Sequence, residues 1–268
     1  MAEPDYEYRG MMAEAWDLLR GDTQGWADRA LYLDLIHKYG EPVLDVGCGT
    51  GRLLLDFLGQ GIDIDGVDNS PEMLAICRRK AETRHLEPAL YEQSMPELSL
   101  PRAYATILVP SSSFQLLIDP EEARTALGHF YRQLLAGGVL VMPFYINIFD
   151  ETNASTVVED WHIHQEAVRP EDGVTVRRWS RITYDLDQKL EYTDDRYELI
   201  KDGEILATHE FNRAPATRWY SEQEALNLYQ QAGFEVVEAL SEFTHEPMQP
   251  YDTLFTLVGQ KPGKPNRT

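Results

Sequence analysis

Val43-Leu44-Asp45-Val46-Gly47-Cys48-Gly49-Thr50-Gly51-Arg52 decides the reading of this chain. An apolar strand pattern runs into three alternate glycines, and a helical pattern follows over about residues 50–58. Glycine lacks a Cβ and tolerates positive φ, so such a loop brings bare backbone close to a ligand. A dinucleotide fold wants Gly-x-Gly-x-x-Gly with a pyrophosphate at the helix N-terminus. Here the third glycine comes one residue early, and Arg52 stands where it belongs. Asp45, two residues before the first glycine, adds a carboxylate that suits a cationic ligand better than a pyrophosphate.

Outward from this loop the pattern alternates. Strands are expected at 62–68, 89–92, 106–109 and 139–144. A helix opens at Ser70-Pro71-Glu72, with Ser70 as N-cap and Pro71 at N1. Another opens at Asp119-Pro120-Glu121-Glu122, where acids face the positive helix end, and runs to Gly137-Gly138. Short strand and helix alternation implies an α/β fold: a doubly wound, mostly parallel seven-stranded sheet with ligands at the carboxyl ends of the strands. Before the loop, residues 1–42 form a helical lead-in with apolar spacing over 13–20 and 26–39.

Over 145–216 the period changes to β-rich runs at 174–184, 190–200 and 205–211, separated by Asp187-Gln188 and Lys201-Asp202-Gly203. They read as an inserted antiparallel meander on the substrate side. The core, 43–144, resumes over 217–260. Ser221-Glu222-Gln223-Glu224 is a capping box, and strands follow at 234–239 and 254–259, the last antiparallel. Residues 261–268, with Pro262, Gly263 and Pro265, read as a disordered tail.

The chain has 268 residues, 24 Lys and Arg against 45 Asp and Glu, and a formal net charge of −21. That balance disfavours phosphate backbones and anionic lipid, so nucleic acid and membrane surfaces are not expected partners. Acids occupy residues 1–10 where a signal peptide carries bases, and no apolar run approaches the length of a membrane span; a cytoplasmic enzyme is expected. Cys48 and Cys77 match neither a disulfide framework nor a metal-ligand spacing. His162 and His164 share one strand face without a third ligand at metal spacing, so no metal is expected.

S-adenosylmethionine offers an ammonium and a sulfonium to a carboxylate beside the loop, and Asp68, 17 residues after Gly51, is placed to accept from both ribose hydroxyls. The chain resembles the class I S-adenosylmethionine-dependent methyltransferases. The residues that carry the resemblance are 44–51, then Gly66-Val67-Asp68-Asn69-Ser70-Pro71-Glu72-Met73-Leu74, Leu135-Ala136-Gly137-Gly138 and Ala232-Gly233-Phe234. The inserted hairpins resemble the small-molecule branch, which includes amino-sugar N-methyltransferases.

The resemblance implies S-adenosylmethionine as cofactor, with Gly47, Gly49 and Gly51 along its methionine portion and Asp45 supporting the loop or the ammonium. It implies Asp68 at the ribose and Asn69 at the edge of the adenine. Where the family often has Gly-Asp-Met, this chain has Gln93-Ser94-Met95. Ser94 then hydrogen-bonds the adenine without charge, and Met95 is an apolar contact. Ser111 and Phe114 fall beneath the sulfonium and at the substrate mouth, and Tyr8 is the aromatic expected to cap the methionine portion.

Late in the insertion, His209, Arg213 and Trp219 are expected to return to the carboxyl edge. Arg213 and Trp219 are candidate substrate contacts, and His209 is the candidate general base. The expected activity is methyl transfer to nitrogen or oxygen of a small molecule. A non-catalytic S-adenosylmethionine-binding module and a nicotinamide-dependent oxidoreductase are the alternatives. An open edge of the hairpin sheet allows a homodimer.

Overall fold

The computed structural model describes residues 7–21, 23, 25–147 and 154–263. Three helices lead in: α1 (Met11–Glu14), α2 (Trp16–Arg20) and α3 (Ala27–Tyr39). The core then alternates β1 (Val43–Val46), α4 (Leu54–Gly59), β2 (Ile64–Asp68), α5 (Pro71–Thr83), β3 (Ala89–Glu92), β4 (Tyr104–Leu108), α6 (Pro120–Gln133) and β5 (Leu134–Tyr145). The insertion is a meander of β6 (Thr156–Val168), β7 (Thr175–Asp185), β8 (Leu190–Lys201) and β9 (Glu204–Arg218). After it, α7 (Glu222–Gln231), β10 (Glu235–Ser241) and β11 (Leu254–Gln260) complete the core.

The main sheet has seven strands in the order β10-β11-β5-β4-β1-β2-β3. β1 to β5 pair in parallel, and β11 runs antiparallel between β5 and β10. Every residue of β1 is buried, as a strand covered on both faces requires. Alternate side chains enter the two layers: Leu44 and Val46 join one apolar cluster with Tyr104, Phe130 and Phe144. Val43 joins the other with Leu35, Leu54, Phe57 and Leu74. The strand order reverses between β1 and β4, so the loops that follow these strands flank one crevice.

Local chemistry sets the helix starts. The Ser70 hydroxyl accepts from the Met73 amide at 3.1 Å, and Pro71 occupies N1 of α5. Asp119 accepts from the Glu121 amide at 2.8 Å at the start of α6. The Glu224 carboxylate accepts from the Ser221 amide at 2.8 Å and from its hydroxyl at 2.7 Å at α7.

Three boundaries differ from the sequence reading. α6 ends at Gln133, and Gly137-Gly138 lie inside β5. A Cβ on Gly138 would meet the Ala105 carbonyl oxygen at 2.8 Å, so that glycine serves close strand approach and not helix termination. β6 lies outside the β-rich runs of the sequence reading; none of its side chains is buried, and its apolar residues, Val158, Ile163 and Val168 among them, are interleaved with charged ones without strict alternation. Lys261, the first residue of the expected disordered tail, is tied to the fold. Its amide donates to the Gly138 carbonyl, and its Nζ donates to the carbonyls of Tyr131 and Leu134 at 2.8 and 2.6 Å. Residues 264–268 lie outside the described residues.

The lead-in packs against the meander. Met11, Met12 and Ala15 form an apolar cluster with Val176 and Tyr197, flanked by Leu19 and Phe211. The N-terminal helices thereby bridge the meander and the crevice.

Candidate active site

The glycine loop folds so that its turns satisfy one another. The amides of Gly47 and Cys48 both donate to the Val67 carbonyl, at 2.8 and 3.0 Å. Gly47, Gly49 and Gly51 all hold positive φ, at 71°, 53° and 82°. Asp68 locks the arrangement: one carboxylate oxygen accepts from the Gly49 amide at 2.8 Å, the other from the Ser70 amide at 2.8 Å. Its pKa is raised by burial, and the three backbone amides around it pull the other way.

The crevice opens into a cleft of about 970 Å³, at the top of the usual ligand-pocket range. Its lining brings together Asp45, Gly47, Gly49, Asp68, Asn69, Ser94 and Met95 of the loops after β1, β2 and β3, Tyr8 and Trp16 of the N-terminal segment, and Ser111 and Leu116 to Ile118 after β4. Residues 211–216 of β9 line it as well. Gly47 sits opposite Ser113, whose Oγ lies 2.8 Å from where a Cβ would be. Ser111 takes a left-handed backbone, φ 56°, to turn the chain into this wall.

Asp45 is 2% exposed, and its Oδ1 is buried without a hydrogen-bond partner. Burial pushes its carboxyl up to about 7, against the opposing pull of the Arg52 guanidinium. A buried acceptor without a donor, lining a cleft, is a seat for a cationic group. With the open backbone of the glycine loop beside it, this donor and acceptor set fits the ammonium-bearing methionine portion of S-adenosylmethionine.

Several expected residues are brought together here: Tyr8, Asp45, Gly47, Gly49, Asp68, Asn69, Ser94, Met95, Ser111 and Arg213 all line the cleft. The Tyr8 ring packs on Trp16 at 4.5 Å, and its carbonyl accepts from the Ser70 hydroxyl at 2.6 Å. Ser94 already donates to Glu97 at 3.0 Å.

Four expected residues are placed elsewhere. Gly51 does not line the cleft; a Cβ there would meet Cys77 Sγ at 2.6 Å and Leu55 Cγ at 2.8 Å, so it lets α4 close on α5. Phe114 is 1% exposed, in the core beside Phe144 and Tyr220, and its neighbours Leu116 to Ile118 form the wall instead. Trp219 is buried against Tyr184 with ring centroids 6.2 Å apart. His209 is exposed on β9 opposite Tyr197, four residues or about 13 Å of strand from Arg213, and does not line the cleft.

The sequence reading missed Arg20, which lines the cleft with its guanidinium 3.9 Å from the Trp16 ring and 5.2 Å from the Trp26 ring. An arginine before Gly21 reads as an ordinary helix-end cation, which hid it. It also missed the role of Arg52, paired with Asp28 of α3. Among the described residues no group of three or more His, Cys, Asp or Glu side chains is arranged to hold a metal, and no helix is long and apolar enough to cross a membrane.

The family model described as a methyltransferase domain matches residues 43–138. A putative methyltransferase from Geobacillus sp. (strain WCH70) is 28% identical over 76% of this chain and 78% of its own length. The dTDP-3-amino-3,6-dideoxy-alpha-D-glucopyranose N,N-dimethyltransferase of Streptomyces fradiae is 31% identical over 53% of this chain and 56% of its own length. Thus the chain spans little more than half of that second relative. The solved structure of an amino pentose methyltransferase from Micromonospora echinaspora, bound to S-adenosylmethionine, superposes with a TM-score of 0.65 at 22% identity, covering 96% of this chain and 99% of that one.

Proposed function

We propose that the protein is an S-adenosylmethionine-dependent methyltransferase whose acceptor is a small molecule methylated on nitrogen or oxygen, a reading supported by the methyltransferase-domain match and the methyltransferase relatives. The observation that carries this reading is the cleft itself. It gathers Asp45, whose Oδ1 is unpartnered, with Ser111, Leu116 to Ile118 and the end of β9 around one space. A wall built from an inserted meander encloses a discrete acceptor, and a chain of net charge −21 lacks the basic footprint of a nucleic-acid target.

When bound, the cofactor supplies a methyl group on a sulfonium, open to direct displacement. The residues of this chain do the positioning. Asp45 would hold the ammonium of the methionine portion, the Gly47–Gly49 backbone would lie along it, and Asp68 would accept from the ribose hydroxyls with the lone pairs its amide contacts leave free. Asn69, Ser94 and Met95 would border the adenine. Tyr8 and Trp16 close the middle of the cleft against water, which matters because displacement depends on alignment in a water-poor site.

Among the described lining residues there is no histidine to serve as base. An amine acceptor would enter as the free amine, its lone pair forming the new bond to the methyl carbon as the carbon–sulfur bond breaks with its electron pair going to sulfur, and the ammonium product would then lose its proton to solvent or to a carboxylate of the cleft lining. The test is thermal unfolding with S-adenosylmethionine, S-adenosylhomocysteine and NAD, followed by a mass-spectrometric screen of small amines and alcohols for a gain of one methyl. A shift with the adenosyl-sulfur ligands and a methylated product support the reading. Stabilisation by NAD alone refutes it, and cofactor binding without turnover of any acceptor favours a non-catalytic module.

A further inference from the structure

A second cavity of about 180 Å³ lies behind the cleft, between the N-terminal helices and the meander. Tyr8, Met12, Trp16, Arg20 and Arg213 line both spaces and form the partition between them. Each ionised side chain in its lining is a cation: Arg20 from α2, Arg178 from β7 and Arg213 from β9. His164 and Gln165 of β6 complete the wall.

The charges around it do not cancel. Asp195 of β8, fully buried, accepts from Nε and Nη2 of Arg178 at 2.9 and 3.0 Å and from Nη2 of Arg213 at 3.0 Å. Glu7 accepts from Nη1 of Arg213 at 2.8 Å. Two carboxylates thus pair with two of the three guanidinium groups. Arg20 makes no ion pair with a carboxylate among the described residues; Asp28, which acts on it from a distance, is itself paired with Arg52. Arg213 Nε is buried without a hydrogen-bond partner, an unmet donor of the kind native structures rarely leave. His164 registers the same surroundings: its pKa is lowered by burial and further by Arg178, His162 and Arg213, with Asp195 opposing.

We propose that this cavity is a second binding site, for a small oxyanion of the carboxylate or phosphate type, held by Arg20, Arg178 and Arg213 and separate from the cofactor cleft. Guanidinium groups present planar, forked donors matched to such anions. The space is several times that of a single water, so an anion fits with part of its hydration. A bound anion ties α2 to β7 and β9 and holds the N-terminal helices onto the meander. This site stands on its own geometry and does not rest on the identity of the acceptor.

The test follows the imidazole resonances of the full chain during titration with inorganic phosphate at constant ionic strength, with sodium chloride as control. The His164 signal is assigned by its loss in His164→Gln. The expected result is a saturable shift at His164 and a rise of about one unit in its apparent pKa, the size an adjacent opposite charge produces. Saturation with S-adenosylhomocysteine leaves that response intact. Gln165→Glu places a carboxylate in the cavity without removing any ion pair, so it abolishes the response and raises the melting temperature in phosphate-free buffer. Arg213→Gln also abolishes it, and if that variant does not fold, Gln165→Glu carries the test alone.

A linear response equal to that of chloride overturns the proposal. So does its loss on saturation with S-adenosylhomocysteine, which puts the anion in the cofactor's own seat. Two sources of the anion are separated by competition. Displacement of phosphate by β-alanine at concentrations where acetate fails assigns the anionic group to an amine acceptor, and equal displacement by acetate assigns it to a free anion.

Discussion

Arg52 and Asp28 form a two-pronged ion pair that joins the glycine loop to α3, with Arg52 Nη1 to Asp28 Oδ1 at 3.0 Å and a second contact from Nη2 to Oδ2. Asp28 is 3% exposed, and the guanidinium lies 4.9 Å from the Trp26 ring. The same arginine is the main group that opposes protonation of Asp45. It therefore has a structural and an electrostatic part.

Arg52→Met leaves Asp28 buried and uncompensated, which costs about 3–5 kcal/mol in comparable buried pairs. The loss is read as a lower denaturation midpoint. The carboxyl of Asp45 moves further up, so affinity for S-adenosylhomocysteine at pH 7 falls beyond what the lower stability explains. Arg52→Lys rescues little, since one ammonium cannot make both contacts.

Cofactor affinity should depend on pH through Asp45. Its carboxyl titrates at about 7 in the folded apo chain, and only the ionised form pairs with an ammonium. Affinity for S-adenosylhomocysteine, measured by calorimetry, should rise about tenfold between pH 6 and 8 and level off above, the ratio of ionised fractions for such a group. Asp45→Asn should flatten that rise.

Stability of the apo chain should move the opposite way. A folded pKa above the unfolded value of 3.8 means that the native state holds its proton more tightly. The contribution of Asp45 is fully present below about pH 4 and is lost as pH rises through about 7. The apo melting temperature should therefore decline over that window, and Asp45→Asn should remove this part of the decline.

Gly51→Ala and Gly47→Ala should fail differently. At Gly51 the added methyl meets Cys77 and Leu55, so the cost is stability, about 1–3 kcal/mol of overpacking and backbone strain. At Gly47 the methyl meets Ser113 beside the cleft, so the cost is cofactor affinity. Chemical denaturation with and without S-adenosylhomocysteine separates the two.

Phe114→Ala should destabilise by about 3–5 kcal/mol, as an aromatic removed from a packed core. His209→Ala should leave kcat/KM within twofold, since the side chain is exposed and does not line the cleft. A loss of kcat with a flattened pH profile in His209→Ala would restore that residue as the base.

The strand, loop and helix order of the core was legible in the sequence because its signals are local. Ser70-Pro71, Asp119-Pro120 and Ser221 with Glu224 each cap a helix through contacts within three residues. The alternate glycines announce close backbone approach in the same way, and Asp45 and Asp68 stand at fixed offsets from them. Side-chain direction at the site was not legible. Phe114 and Leu116 lie two residues apart in one short turn, yet one enters the core and the other walls the cleft. His209 and Arg213 share a strand, but its length separates them.

By itself the sequence determined the α/β alternation, the glycine loop beneath two carboxylates and the acidic balance that disfavours attraction to phosphate backbones, because each is a property of neighbours or of composition. Tertiary structure alone decided which of the late residues reach the cleft and that Arg52 reports to Asp28. It also decided that Arg20, Arg178 and Arg213 meet around one cavity. Those three lie on three elements separated in the chain by most of its length, and only the packing of α1 and α2 onto the meander brings their charges together.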